Sequence, residues 1–180
     1  MGALVLAVHR DGQHRFSKQA SERIQLLLGL GVAGDAHCGA TVQHRSRVAQ
    51  NPNQPNLRQV HLLHAELFDE LSAKGFSVQP GELGENITTR AIDLLALPVG
   101  TELHIGAEAI LTLTGLRNPC NQIERFHSGL LSAVLAQAAD GRLIRKAGVM
   151  AVVSQAGWVE PNDPISIRLP APPHRALERV

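Results

Sequence analysis

The 180-residue sequence contains no tyrosine, and aromatic residues make up only 3% of it. Proteins that bind single-stranded nucleic acids stack the bases on aromatic side chains, so this scarcity argues against such a binder. The formal net charge of +1 also lacks the basic excess that is typical of nucleic-acid-binding domains. Nucleic acid is therefore not an expected partner.

Long hydrophobic runs are also missing from the sequence. No window approaches the roughly 18 consecutive apolar residues that indicate a transmembrane helix. The apolar run at residues 4–8 has no basic region before it, so it predicts a first β-strand rather than a signal peptide. We therefore expect no membrane segment.

Cysteine is scarce, with Cys38 and Cys120 as its two occurrences. The two residues lie far apart in the sequence, and nothing else suggests the disulfide framework of a small secreted protein. We expect reduced thiols and a cytoplasmic location.

What the sequence does contain is the composition of an ordinary globular protein, with 44% hydrophobic residues. The length predicts one domain over residues 1–180, because domains commonly hold about 100–200 residues. Short strand-like segments predominate, at residues 4–8, 59–63, 101–105, 110–114, 149–153 and 165–169. The segment 21–28 is compatible with a helical turn or a strand.

A helix is predicted from His64, with Leu67, Phe68 and Leu71 on one face and Gly75 at its end. Many short strands separated by glycine turns, with few helices, favour a mainly β (α+β) fold. We expect one closed or partly closed β-barrel decorated by two or three short helices.

The segment TGLRNPCNQIERF, residues 114–126, places Cys120 where a predicted strand turns into a predicted helix. Asn118 is a favoured N-cap and Pro119 suits the first helical position, so Cys120 is predicted as the second helical residue. Free backbone N–H groups there, with Arg117 nearby, favour a reactive thiolate. Position alone is equally compatible with a buried, inert cysteine.

Four segments occur in the order seen in MOSC domains, which are named for the C-terminal part of molybdenum cofactor sulfurases. They are GVAGDAH, GELGENITT, NPC and AGVMAVV, and the resemblance covers residues 29–169. The sequence resembles the small single-domain bacterial members of this family. The resemblance implies a β-barrel in which Cys120 is the functional sulfur, and in some relatives that cysteine ligates the molybdenum of a pterin cofactor.

A molybdopterin carries a phosphate and a dithiolene, so its binding requires cationic donors as well as a soft metal ligand. Basic residues follow several loops, among them Arg58 and Arg90. The predicted cofactor-binding set combines three of the basic residues with residues of the family motifs: Asp35, His37, Arg45, Arg47, Glu85, Asn86, Arg117 and Asn118. Pyridoxal phosphate is not expected, since no segment looks like a lysine-bearing aldimine site.

Three functions remain open at this point. The first is a molybdenum-cofactor-dependent oxidoreductase, in which Cys120 ligates the metal and a small N-hydroxylated substrate is reduced. Its electrons would come from a separate donor, because the sequence shows no flavin or iron–sulfur motif. The second is a sulfur carrier that receives a persulfide on Cys120 from a cysteine desulfurase, and the third is a pterin-binding module without catalysis.

Overall fold

The computed structural model describes residues 2–180, apart from the side chains of Arg45 and Ser46. The described residues form mostly short strands: β1 (Leu4–Arg10), β2 (Gln19–Ser21), β3 (Ile24–Leu27), β4 (Gly31–Val32), β5 (Val60–His64), β6 (Ile87–Arg90), β7 (Glu102–Ile105), β8 (Ala109–Leu116), β9 (Leu135–Gln137), β10 (Leu143–Arg145), β11 (Val149–Gln155), β12 (Gly157–Val159) and β13 (Ile165–Arg168). The helices are α1 (Arg45–Val48), α2 (Glu66–Ala73), α3 (Asn121–Phe126) and α4 (Leu130–Ala133), with a 3-10 helix at Leu94–Ala96.

Eight strands form the main sheet, in the order β13-β7-β8-β11-β5-β6-β1-β2. Its neighbours pair antiparallel except β5 and β6, which run parallel. Parallel neighbours need a crossover connection, and α2 with the loop after it supplies that connection. The consequence for function is that the loop after α2, residues 74–86, is brought to the sheet beside β1.

The sheet curves so that its two ends approach each other. An isolated bridge joins Leu4 to Pro164, and the amide of Val5 donates to the carbonyl of Asp163 at 2.9 Å. This contact does not extend into a strand pair, so the strands of residues 2–180 do not form a closed barrel. The mainly β fold with few helices is confirmed, whereas the closed barrel is not.

Two hydrophobic cores stabilise the fold. Alternate residues of β8, such as Leu111 and Leu113, lie in the larger core inside the curved sheet. The smaller core packs Leu67 and Leu71 of α2 against Ile123 of α3, and all three side chains are fully buried. Because Ile123 anchors α3, this smaller core also fixes the chain that begins at Cys120.

The predicted elements appear near their predicted positions. The strands at 4–8, 59–63 and 149–153 and the hairpin of β7 and β8 are confirmed, and the segment 21–28 is strand rather than helix. Helix α2 begins at Glu66, two residues after the prediction. Among the described residues, no helix is both long and apolar enough to cross a bilayer.

Candidate functional site

A cavity of about 520 Å³ lies where the strand ends meet four loops. The loops are residues 11–18 after β1, residues 33–59 before β5, residues 74–86 before β6 and the turn between β8 and α3. Cationic or imidazole side chains make up much of its lining, namely Arg15, Lys18, Arg47, Arg58, Arg117, His14, His37, His44 and His61. Cys120 and Asn118 complete the wall on the β8 side.

Cys120 is half-buried and lines this cavity. The strand pairing of β8 with β11 continues past Leu116, since the amide of Arg117 donates to the carbonyl of Gly148 at 3.0 Å. The Cys120 thiol lies 3.5 Å from Oε1 of Gln122, to which it donates. The extended end of β8 therefore places the Cys120 sulfur at the cavity wall.

The predicted start of the helix is wrong by two residues. Cys120 has an extended backbone, with φ −133° and ψ 172°, and is itself the N-cap of α3. Asn118 and Pro119 lie before the helix, because the sheet pairing holds the chain extended as far as Arg117. With six residues α3 is short, so the positive charge near Cys120 comes mainly from arginine side chains.

Three guanidinium groups face this cavity without a carboxylate partner among the described residues, those of Arg47, Arg58 and Arg117. Burial lowers the pKa of Arg58 to about 10, and repulsion from Arg47 and Arg117 adds to that shift. The negative charge of a Cys120 thiolate acts in the opposite direction on Arg58. An anion bound in the cavity would relieve the same repulsion.

Arg117 is the most buried of the three, at 8% exposure. Its Cζ atom lies 5.6 Å from the ring centroid of Phe16, and its buried Nη1 has no hydrogen-bond partner within the described structure. Burial lowers the pKa of Arg117, while the charges of Cys120 and Glu85 oppose that shift. A buried N–H without an acceptor is costly, so this atom is suited to an oxygen from a ligand.

Asp35 holds the loops of the cavity together. Its Oδ2 atom pairs with Lys18 Nζ at 2.5 Å and accepts from Asn86 Nδ2 at 3.0 Å, and its Oδ1 atom accepts from the His37 amide at 2.9 Å. Burial alone would raise the pKa of Asp35, but the hydrogen bonds from His37 and the charge of Lys18 hold that pKa well below its usual value. Asp35 is thus an ionised anchor behind the cavity wall.

Glu85 and Asn86 play different parts in the GELGEN segment. Asn86 lines the cavity and also accepts from the His61 amide through Oδ1 at 3.1 Å. Glu85 is fully buried, where its Oε1 accepts from the Gly81 amide and from Thr88 Oγ1. Burial raises the pKa of Glu85. Asn86 can contact a ligand, whereas Glu85 shapes the loop that carries it.

Most of the predicted site residues gather at this one cavity. The predicted residues that line it are His37, Arg47, Asn86, Arg117, Asn118 and Cys120. Asp35 and Glu85 lie behind the wall, and the side chain of Arg45 lies outside the described part of the structure. Their roles in ligand binding stay predictions.

Sequence reasoning missed the loop after β1, which contributes His14, Arg15, Phe16 and Lys18. The segment HRDGQHRFSK is basic, which is a signal for an anion site, but it lies far from every motif in the sequence. In the sequence, Arg58 is only one of several arginines near loops. Among the described residues, no group of three or more His, Cys, Asp or Glu side chains could hold a metal ion.

The geometry defines a mainly β protein with a single thiol in a strongly cationic cavity. The MOSC domain family model matches residues 36–166, and the chain belongs to this family. The predicted range of 29–169 agrees with that match. No curated protein matches the chain at a significant level.

Several solved structures share the fold. The YuaD protein from Bacillus subtilis is 22% identical, with a TM-score of 0.76 over 95% of this chain and 98% of that one. YiiM from Geobacillus stearothermophilus is 15% identical, with a TM-score of 0.68 over 97% and 79%. YiiM from Escherichia coli is 17% identical, with a TM-score of 0.65 over 97% and 73%. At these identities the likeness establishes the fold alone.

Proposed function

We propose that this MOSC protein binds a molybdenum cofactor in the Cys120 cavity and reduces small N-hydroxylated compounds. One observation carries the proposal: the Cys120 sulfur lines the same cavity as three guanidinium groups that have no carboxylate partner in the described part of the chain. A cofactor with a thiophilic metal at one end and a phosphate at the other requires this pair of features.

The residues present fit such a group. A thiolate is a soft ligand of the kind that suits molybdenum, and arginine forms bidentate contacts with phosphate. The buried Nη1 atom of Arg117 needs an oxygen acceptor that the described residues do not supply. The volume of about 520 Å³ lies within the range of about 300–1,000 Å³ that is usual for small-molecule sites.

Each part of the cavity has its own task in this proposal. Cys120 would be the protein ligand to the metal, while Arg47 and Arg58 would hold the phosphate. Asp35 keeps Lys18, His37 and Asn86 in place, so that the walls are organised before the ligand enters. When bound, the molybdenum centre supplies the redox chemistry of N–O reduction, and a separate donor protein supplies the electrons.

Elemental analysis tests the proposal most directly. The protein, purified from a host that makes the cofactor, should contain molybdenum close to one atom per chain, together with an extractable pterin. Cys120→Ala should lose most of the metal, whereas Cys38→Ala, a matched change of the other cysteine, should keep it. Intact protein that carries neither molybdenum nor pterin would overturn the proposal.

A mass measurement tests the sulfur-carrier function, which the half-buried sulfur also allows. After incubation with a cysteine desulfurase and free cysteine, a carrier gains the mass of one sulfur atom at Cys120. Such a gain in protein that contains no molybdenum would favour sulfur transfer over reduction. If Cys120→Ser retained sulfur transfer, that second function would also be excluded.

A further inference from the structure

A second groove of about 570 Å³ adjoins the Cys120 cavity. The loop after β1 forms one side of it and α3 forms the other. Four residues line both spaces: Arg15, Phe16, Lys18 and Gln122. Since Gln122 Oε1 is 3.5 Å from the Cys120 sulfur, a ligand in the groove can extend to the Cys120 thiol.

Two phenylalanines give the groove an aromatic surface. The ring centroids of Phe16 and Phe126 lie 5.5 Å apart with an interplanar angle of 41°. Phe126 is 37% exposed although it is a large apolar side chain in a short helix anchored by the smaller core. An aromatic pair with an open side can accept another ring in an offset or edge-to-face arrangement.

The charge of the groove is positive. Arg125 is exposed and has no ion-pair partner among the described residues. The Nη1 atom of Arg15 lies 3.7 Å from the Oδ2 atom of Asp11. The Asp11 side chain is only 6% exposed, and its Oδ1 atom accepts from the Gln13 amide. The Asp11 carboxylate is therefore directed largely into the protein. The Arg125 guanidinium remains at the rim of the groove, beside the aromatic pair.

We propose that this groove is a second subsite, which holds the planar aromatic ring of an anionic small molecule whose other end reaches Cys120. The ring would pack on Phe126 and Phe16, with the Arg125 guanidinium stacked on it or paired with its negative charge. This assignment deepens the proposed function by naming an aromatic, anionic class of substrate. Ring binding itself does not require the cofactor.

Protein NMR titration with 2-naphthoate tests the subsite. The probe should shift the amide resonances of Phe16 and residues 122–126, with an affinity on the order of millimolar for a contact this small. Phe126→Leu and Arg125→Gln should each weaken the affinity by about fivefold, because each removes one of the two recognition elements. Both side chains are exposed, so the variants should remain folded.

Matched controls lie elsewhere on the surface. Trp158→Leu removes an exposed aromatic ring that stacks under Arg23, and Arg142→Gln removes an exposed arginine. Both should leave the 2-naphthoate affinity unchanged. Cyclohexanecarboxylate has the charge without the planar ring, and 2-naphthylmethylammonium has the ring with the opposite charge, so both should bind at least about fivefold more weakly.

The subsite is overturned if cyclohexanecarboxylate binds as tightly as 2-naphthoate, or if the Phe126→Leu variant keeps full affinity. It is also overturned if the cofactor-loaded protein no longer binds 2-naphthoate, since the groove would then belong to the cofactor. Cys120→Ala separates the two proposals. It should lose most of the molybdenum and leave 2-naphthoate binding within about twofold, because the sulfur does not line the groove.

Discussion

Gly84 lies directly against the backbone carbonyl of Phe16. A Cβ atom on residue 84 would stand 2.5 Å from the Phe16 oxygen, and the φ of Gly84 is +84°. The glycine thus allows the GELGEN loop to pack tightly on the loop after β1. The same contact region includes the hydrogen bond from the Lys18 amide to the Gly81 carbonyl at 2.8 Å. This packing places Phe16 and Lys18 at the cavity wall.

Gly84→Ala should therefore both destabilise the fold and disturb the cavity. The left-handed φ alone costs an alanine roughly 1–2 kcal/mol, and the contact with Phe16 adds to that cost. We expect a lower free energy of unfolding in chemical denaturation and weaker binding of inorganic phosphate. Gly141→Ala is the matched control, because Gly141 has a φ of +85° and open space around its Cβ position. If both variants lost the same free energy of unfolding, the close contact with Phe16 would not contribute to the destabilisation.

The buried ion pair of Asp35 and Lys18 gives a second prediction. Their side chains are only 2% and 5% exposed. Asp35→Asn leaves the Lys18 ammonium without its counter-charge, and breaking such a pair costs roughly 3–5 kcal/mol. Chemical denaturation should show this loss, with part of it recovered in the Lys18→Met, Asp35→Asn double variant.

The exposed pair of Asp140 and Arg142 provides the control for that prediction. Asp140→Asn should leave the free energy of unfolding unchanged, because solvent screens the exposed charges. A stability of Asp35→Asn equal to that of the original protein would show that Asp35 does not anchor the loops of the cavity.

Local patterns in the sequence predict the longer strands well, but not short ones such as β9 and β10. The alternation in β7 and β8 and the continuous apolar run in β11 report which faces are buried, and these patterns are properties of the segments themselves. The start of α3 was predicted wrongly for a corresponding reason. Asn118 and Pro119 have local preferences for a helix start, but the hydrogen bond between Arg117 and Gly148 depends on a distant strand and overrides them.

The candidate site also contains some residues that local patterns predict and others that they do not. Cys120, Arg117 and Asn86 occur in segments with recognisable motifs, so they could be predicted before the structure. Phe16 and Lys18 reach the cavity through contacts with Gly84 and Asp35, which are far from them in the sequence. No local pattern encodes such contacts. The sequence therefore does not predict that the loop after β1 forms part of the cavity wall.

Arg58 leads to a prediction about anion binding. Its guanidinium is half-buried, and repulsion from Arg47 and Arg117 helps to lower its pKa to about 10. Arg58→Gln should reduce the affinity for inorganic phosphate by at least about tenfold in calorimetric titration, because a charge-assisted contact contributes roughly 1.5–3 kcal/mol. The variant should also gain stability without ligand, since one of three mutually repelling charges is removed.

Arg142→Gln serves as the control for phosphate binding, since Arg142 is exposed and paired with Asp140 outside the cavity. It should bind phosphate as the original protein does. Added salt should weaken phosphate binding to both proteins. An unchanged phosphate affinity in Arg58→Gln would remove this residue from the proposed phosphate site.

The buried His9 predicts how stability depends on pH. Burial, together with the charge of Lys18, lowers the pKa of His9 to about 4. The pKa of a histidine in an unfolded chain is about 6.5. Between these values the unfolded chain binds a proton that the folded chain does not, so stability falls as the pH decreases from about 6.5 to about 4. One such group contributes up to roughly 3 kcal/mol over that window.

His9→Asn should reduce the slope of this part of the stability profile, measured by denaturant unfolding at a series of pH values. The remaining slope comes from His44, His61 and His64, since burial lowers the pKa of each of them as well. His174→Asn changes an exposed imidazole and should leave the slope as it was. Asp35, with its lowered pKa, stabilises the fold above the unfolded value near about 4, so its contribution is lost only at lower pH. The two effects therefore separate along the pH axis, and a His9→Asn profile as steep as the original would show that another group carries the acid sensitivity.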